Sequence, residues 1–409
     1  MGESAQHRMG HPSPLIFHLY AATVGYQSAI ANAANPNTPG LDWHPGLDEQ
    51  AASIGDLNTP ILHQAALERL KAMVSGLEKW QRHPYRRAVM DPPTIWSNGS
   101  SRLLDFGRCP EATNPNGAPV LVVPSLINRA YILDLHKNCS LLRYLASQGL
   151  RPLLLDWGVP SDSEREFDLN SYTTQRLLPA LEVSSDLTDK PIGVLGYCMG
   201  GTLAAGVLSF QKADVGAFAT IASPWDFSSS KGVAASLRTT VSGRQTAEMI
   251  ENMGRVFGMI PTEFFQQLFA LVNPIQAAVK FRKLGNMDLD SPTANHFVAI
   301  EDWLADGVPL ATPSAQDVLI DWNLNNATGS GSWKLQGAKI DLSAIRQPTL
   351  NVCGVRDSIA QFDVATAMSR KIPTAKLLTP NAGHVGMIAG SMARETVWNP
   401  VSEFFICNL

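Results

Sequence analysis

The stretch VLGYCMGGTLAAG, residues 194–206, constrains this chain more than any other. A short apolar run breaks at Gly196, a cysteine stands two residues on, and small residues resume after Gly200. Unbroken apolar runs bounded by glycine read as strands buried on both faces, the habit of a parallel sheet covered by helices. A chain that passes from such a strand into a helix within two residues makes a sharp turn. Glycines belong where side chains would collide with the neighbouring strand and helix.

Similar runs recur along the sequence. APVLVVPSL (118–126), LRPLLLDWG (150–158), PIGVLGY (191–197) and VGAFATIAS (215–223) are each bounded by Pro, Asn or Gly, and PTLNVCGVRD (348–357) and AKLLTPNAGHVGM (375–387) follow later. Between the first two, residues 131–149 end in a helical pattern closed by Gly149. The rhythm of strand, helix, strand predicts an α/β fold whose mostly parallel central sheet carries helices on both faces. It lapses between about 225 and 335, where the pattern is helical and ends in NATGSGSW. This segment is expected to be a helical cap inserted over the carboxyl edge of the sheet. The core is then 96–224 with 336–409, the cap 225–335, and residues 1–95 an N-terminal, partly helical segment. Within the last, TPILHQAALERLKAMVSGLEKWQRHP (59–84) reads as an amphipathic helix started by Thr59 and Pro60, and a short helix is expected around 14–32.

Composition excludes several classes. A net charge of −4 gives no electrostatic footprint for nucleic acid. The nine histidines are scattered and no paired CxxC accompanies them, so no metal is expected. Five widely spaced cysteines do not make a disulfide framework and suit a reducing cytoplasm. PLIFHLYAATVGYQSAIANAA ends in small residues as a signal peptide does, but His18, Tyr20 and Gln27 interrupt it and only Arg8 supplies upstream charge. No apolar run approaches the ~18 residues of a membrane span.

The chemistry centres on Cys198. Gly-x-Cys-x-Gly has the spacing of a nucleophile elbow, in which the nucleophile sits on a strained turn above a helix N-terminus. That terminus favours a thiolate, and the N–H of Met199 supplies half of an oxyanion hole. The bland alternative is a buried cysteine in a glycine-rich turn of a cofactor-binding fold. An elbow needs an acid and then a histidine downstream, and only His296 and His384 follow Cys198. His384 lies in a glycine-flanked loop after an apolar strand and is the expected general base, whereas His296 sits in a helical stretch. Asp357 ends the preceding strand and is the expected orienting acid. Its competitor Asp363 stands where a helix begins, a common place for an acid. The second oxyanion donor is expected from Ser125–Asn128, with the N–H of Ile127 preferred. Asp134 and Asp156 read as local backbone partners, and Cys109, Cys139, Cys353 and Cys407 as inert packing residues.

Taken together, LVVPSLINRAYILDL, LASQGLRPLLLDWGVP, GYCMGG, DFSSS, GVRD and AGHVGM resemble the polyhydroxyalkanoate synthases, over about 118–405. The resemblance implies an α/β-hydrolase fold with a Cys-His-Asp triad. It also implies an acyltransferase that polymerises (R)-3-hydroxyacyl-CoA with release of CoA. Cys198 would carry the acyl group as a thioester, His384 would take the thiol proton, and Asp357 would orient His384 or help activate the incoming 3-hydroxyl. No cofactor is implied beyond the coenzyme A thioester used as substrate. The length resembles that of the shorter synthases, which act with a separate subunit, so the implied partners are a second synthase subunit or a second copy, the growing polyester chain and the granule surface. The chain departs from the family pattern at Ser358, where a histidine is usual, at His136-Lys137 in place of Gln-Pro, and at Pro124-Ser125 in place of Pro-Pro. The same triad on the same fold also serves a thioesterase or polyester depolymerase, which stays open as the other reading. A non-catalytic granule protein is a third reading, against which the intact triad argues.

Overall fold

A computed structural model describes residue 8 and residues 11–34, 59–210, 214–229 and 243–409. The chain opens with two helices, α1 (Leu15–Ala34) and α2 (Thr59–Arg82), and then enters the sheet through β1 (Thr94–Asn98), β2 (Ser101–Asp105), β3 (Pro119–Val123), β4 (Arg151–Asp156) and β5 (Ile192–Tyr197). Helix α3 (Met199–Leu208) leads to β6 (Val215–Ile221), after which come the helices α4 (Gln276–Gly285) and α5 (Pro292–Ala305). The sheet is completed by β7 (Thr349–Val352), helix α6 (Phe362–Lys371) and β8 (Ala375–Leu378).

Among the described residues the sheet has eight strands in the order β1-β2-β4-β3-β5-β6-β7-β8. Pairing is antiparallel from β1 to β2 and from β2 to β4. From β4 onward it is parallel, with Val120 of β3 opposite Gly193 of β5 and Gly196 opposite Thr220. Every residue of β3, β5 and β7 is buried, which explains the unbroken apolar runs of β3 and β5, while Asn351 of β7 is paired with Thr220 and the Ala365 carbonyl. No residue of the outer strands β1 and β8 is fully buried, and Lys376 on β8 blunts that edge. Full burial of a Val or Leu side chain contributes about 1.5–3 kcal/mol, so β3 and β5 anchor the sheet where the turn at Cys198 begins.

The chain divides into two compact units, one of residues 1–86 with 266–305 and the other of 87–265 with 306–409. The expected cap over 225–335 is therefore split, and residues 266–305 group with the N-terminal segment. The reason lies within that helical unit. Gly76 of α2 faces the Phe281 carbonyl of α4 so closely that a Cβ would stand 1.8 Å from its oxygen. Gly285 is likewise pressed against the Ala72 carbonyl, at 2.5 Å. Glycine costs about 1 kcal/mol in a helix interior, and here the close approach offsets it by burying Met73, Leu77, Trp80, Phe281 and Leu284. Arg8 closes the unit: its guanidinium bonds the carbonyls of Trp80, His83 and Tyr85 and pairs with Asp302 at 2.6 Å.

In the sheet unit, the two ends of the 261–309 excursion are tied together. Ile260 and Leu310 exchange both backbone hydrogen bonds, at 2.8 and 3.0 Å.

Candidate active site

Cys198 stands between β5 and α3 with φ 53° and ψ −129°, a conformation that costs a non-glycine residue about 1–3 kcal/mol. The surroundings hold it there. The Cys198 N–H donates to the Ile221 carbonyl at 2.9 Å, and the Gly201 N–H donates to the Cys198 carbonyl at 3.0 Å. Glycines permit the turn, as their spacing predicts. A Cβ on Gly196 would lie 2.2 Å from the Cα of Gly201, and one on Gly200 would lie 2.1 Å from the Val123 carbonyl oxygen. Gly201 carries a third requirement the motif does not disclose, because its Cβ would meet Ser223 Oγ at 1.9 Å. Cys198 is half-buried.

Two loops bring the acid and the histidine together. After β7 the chain runs through Gly354 to Asp357, and after β8 through Pro380 to His384. Val355 N–H donates to the Pro380 carbonyl at 3.1 Å, Arg356 N–H to that of Ala382 at 3.2 Å, and the Arg356 guanidinium to that of Asn381 at 2.6 Å. Asp357 Oδ1 accepts the N–H groups of Ile359 and Ala360, at 2.8 and 3.0 Å. Its Oδ2 lies 2.8 Å from His384 Nδ1. A carboxylate can only accept, so the proton on this edge belongs to Nδ1 and leaves Nε2 for another partner. Both side chains are buried. Burial opposes a charge on His384, but the Asp357 carboxylate and the Cys198 sulfur outweigh it through charge and hydrogen bonding, and hold the imidazole pKa well above its ordinary value.

The loop after β3 is fixed from several sides. Trp157 Nε1 donates to the Pro124 carbonyl at 3.0 Å, and the same carbonyl packs against Gly200. Met199 opens α3, where a backbone N–H has no partner within its own helix. The Ile127 N–H donates to Ser125 Oγ at 3.3 Å, a long bond within the loop itself. On its other side the Ile127 carbonyl accepts the Val308 N–H at 3.2 Å, Asn128 bridges Gly307, and Arg129 pairs with Asp306 at 3.3 Å. This strap of residues 306–308 has no signal in the sequence, since its members are far apart and unremarkable in type.

The competing residues fall elsewhere. Asp363 lies exposed in the first turn of α6, and His296 lies in α5 of the helical unit. Asp134 is held by Arg143 Nε at 2.8 Å and Asp156 by Arg102 Nε at 2.9 Å. Burial pushes the Cys139 thiol up to about 11 and that of Cys353 to about 12, so neither is a nucleophile. Cys407 is exposed. Among the described residues no helix is long and apolar enough to cross a membrane.

A strand, a strained Cys turn, a helix, and later an acid after β7 and a histidine after β8 define one architecture. The family model described as alpha/beta hydrolase fold matches residues 118–391. The chain belongs to the alpha/beta hydrolase fold family. Within that family its sequence is similar to the poly(3-hydroxyalkanoate) polymerase subunits PhaC of several microbes. That of Haloferax mediterranei is 28% identical over 76% of this chain and 63% of its own length. That of Haloarcula marismortui is 27% identical over 70% of this chain and 60% of its own. That of Allochromatium vinosum is 23% identical over 85% of this chain and 98% of its own. The chain thus spans about three-fifths of the length of the first two relatives. In alpha/beta hydrolases an oxyanion N–H comes from the residue after the nucleophile and another from a strand-end loop, and here Ser125–Asn128 form the loop after β3, the strand paired with β5.

Proposed function

We propose that the protein is a polyhydroxyalkanoate synthase, an acyltransferase that polymerises (R)-3-hydroxyacyl-CoA through a thioester on Cys198. The observation that carries this is a cysteine, not a serine, in a strained elbow beside the His384–Asp357 pair, in a chain similar to named polymerases. In the first half-reaction His384 Nε2 takes the Cys198 proton and the sulfur attacks the thioester carbonyl. The Met199 N–H, with that of Ile127 once released from Ser125, stabilises the oxyanion. The carbon–sulfur bond to CoA breaks, and the departing thiolate takes the proton from His384. In the second half-reaction the 3-hydroxyl of a chain end gives its proton to His384 and attacks the acyl-cysteine. An ester forms, the bond from the acyl carbon to the Cys198 sulfur breaks, and the sulfur takes the proton back from His384.

Sulfur suits this cycle. Exchange between two thioesters is nearly thermoneutral, so the chain moves between carriers without being trapped, and cysteine is strongly nucleophilic beside a histidine. Asp357 orients His384 and stabilises its cation. The reaction needs no cofactor beyond the CoA thioester it consumes. The partners that fit this reading are a second synthase subunit or a second copy of the chain, and the surface of the polyester granule.

The test is to incubate the purified protein with (R)-3-hydroxybutyryl-CoA and measure free CoA, polymer and free hydroxy acid. Polymer is expected, and Cys198→Ala should abolish CoA release. Free acid without polymer would make the protein a hydrolase on the same triad. CoA release by Cys198→Ala at the wild-type rate would remove Cys198 from the chemistry.

A further inference from the structure

Tyr197 immediately precedes the nucleophile and is buried at the end of β5. Its ring packs against the His384 imidazole with centroids 5.5 Å apart and planes inclined by 39°. Its hydroxyl is buried and has no hydrogen-bond partner. Such a group is costly to keep, because a buried unpaired hydroxyl forfeits its hydration without return. The ring is therefore the part of this side chain with a visible contact.

The Asp357 bond fixes only one edge of the imidazole, at Nδ1. A ring held at one edge can still swing about that bond. The aromatic wall limits this swing and keeps Nε2 in the plane that faces Cys198. We infer that Tyr197 is a positioning residue for His384, acting through its ring and not through its hydroxyl. This deepens the proposed function and rests on it for the reaction assayed. Burial, with the charges of Cys198 and Asp357, raises the phenol pKa well above its ordinary value, so the ring carries no charge to disturb the pair.

Tyr197→Phe keeps the wall and removes the orphan hydroxyl, whereas Tyr197→Leu removes the wall. Two measurements on the full-length variants, each checked for fold by circular dichroism, separate the roles. The His384 ring protons are titrated by NMR, and CoA release from (R)-3-hydroxybutyryl-CoA is followed for kcat and KM. Tyr197→Phe should match wild type within about twofold and melt no lower. Tyr197→Leu should lower the His384 midpoint by about half to one pH unit, the worth of an aromatic contact. It should also lower kcat roughly tenfold or more with KM unchanged, as for a misplaced base. A folded Leu variant with wild-type titration and kcat overturns the inference, and so does a Phe variant as impaired as the Leu one. Absence of CoA release by wild type would defeat the proposed function, while the titration would still decide the role of Tyr197.

Discussion

Replacing Asp357 by asparagine tests the geometry of the acid more sharply than deleting it. The two N–H groups of Ile359 and Ala360 on Oδ1 dictate how the amide sits, because only its oxygen can accept them. The amide nitrogen must then take the place of Oδ2, 2.8 Å from His384 Nδ1, and there it donates. His384 is forced to carry its proton on Nε2, the nitrogen that should receive one from Cys198. The side chain keeps its shape and backbone bonds, so the fold survives while the base is in the wrong tautomer. A misassigned tautomer in such a triad lowers kcat by about 10³–10⁴, or ~4–5.5 kcal/mol of barrier. The same change removes the strongest charge that raises the His384 pKa, so its titration should fall toward the ordinary value. In wild type a raised histidine pKa gives stability that is fully present below about pH 6.5 and is lost as pH rises through the folded value. The stability gap between wild type and Asp357→Asn should therefore be larger at pH 6 than at pH 9 in urea melts. CoA release with (R)-3-hydroxybutyryl-CoA reads the rate. A loss under tenfold, or an unchanged His384 titration, refutes the argument.

Gly201→Ala should lower stability by about 1–3 kcal/mol and activity with it, because the new Cβ collides with Ser223. Ser223→Gly in the same chain should restore most of both, and a thermal melt of the single and double variants checks it. In the helical unit, Arg8→Met should cost roughly 3 kcal/mol by breaking the ion pair with Asp302 and removing one donor from each of three carbonyls, measured as a lower midpoint in denaturant.

Much of the sheet unit is legible because burial on both faces leaves β3 and β5 almost without polar positions to blur the pattern. Asp357 and His384 are legible for a different reason: the fold demands them in order at strand ends, and few candidates exist downstream. The β1–β2 hairpin is not anticipated, although Asn98-Gly99 is a turn signal and Gly99 takes φ +57°. Its outer strand is exposed and carries no apolar run. The division of the helical insertion is invisible for a physical reason. It depends on Gly76 and Gly285, far apart in sequence, meeting opposite carbonyls, and a lone glycine in a helical pattern announces no partner. The Ile127 bond to Ser125 is likewise a choice made within a loop, between alternatives that composition does not rank.

The bridge between Ile260 and Leu310 has a consequence for how such a chain can change. It closes the excursion 261–309 at its base, as a stem closes a hairpin in a nucleic acid, and the strap on Ile127 begins just inside that closure. Doubling the length of a closed loop costs only about 0.6 kcal/mol. Chain length inside the closure is therefore a weak constraint on the base that fastens the β3 loop, whereas α4 within it is bound by its close packing on α2. The ends of the excursion thus answer to the β3 loop, and its helices to the N-terminal helices whose core they share.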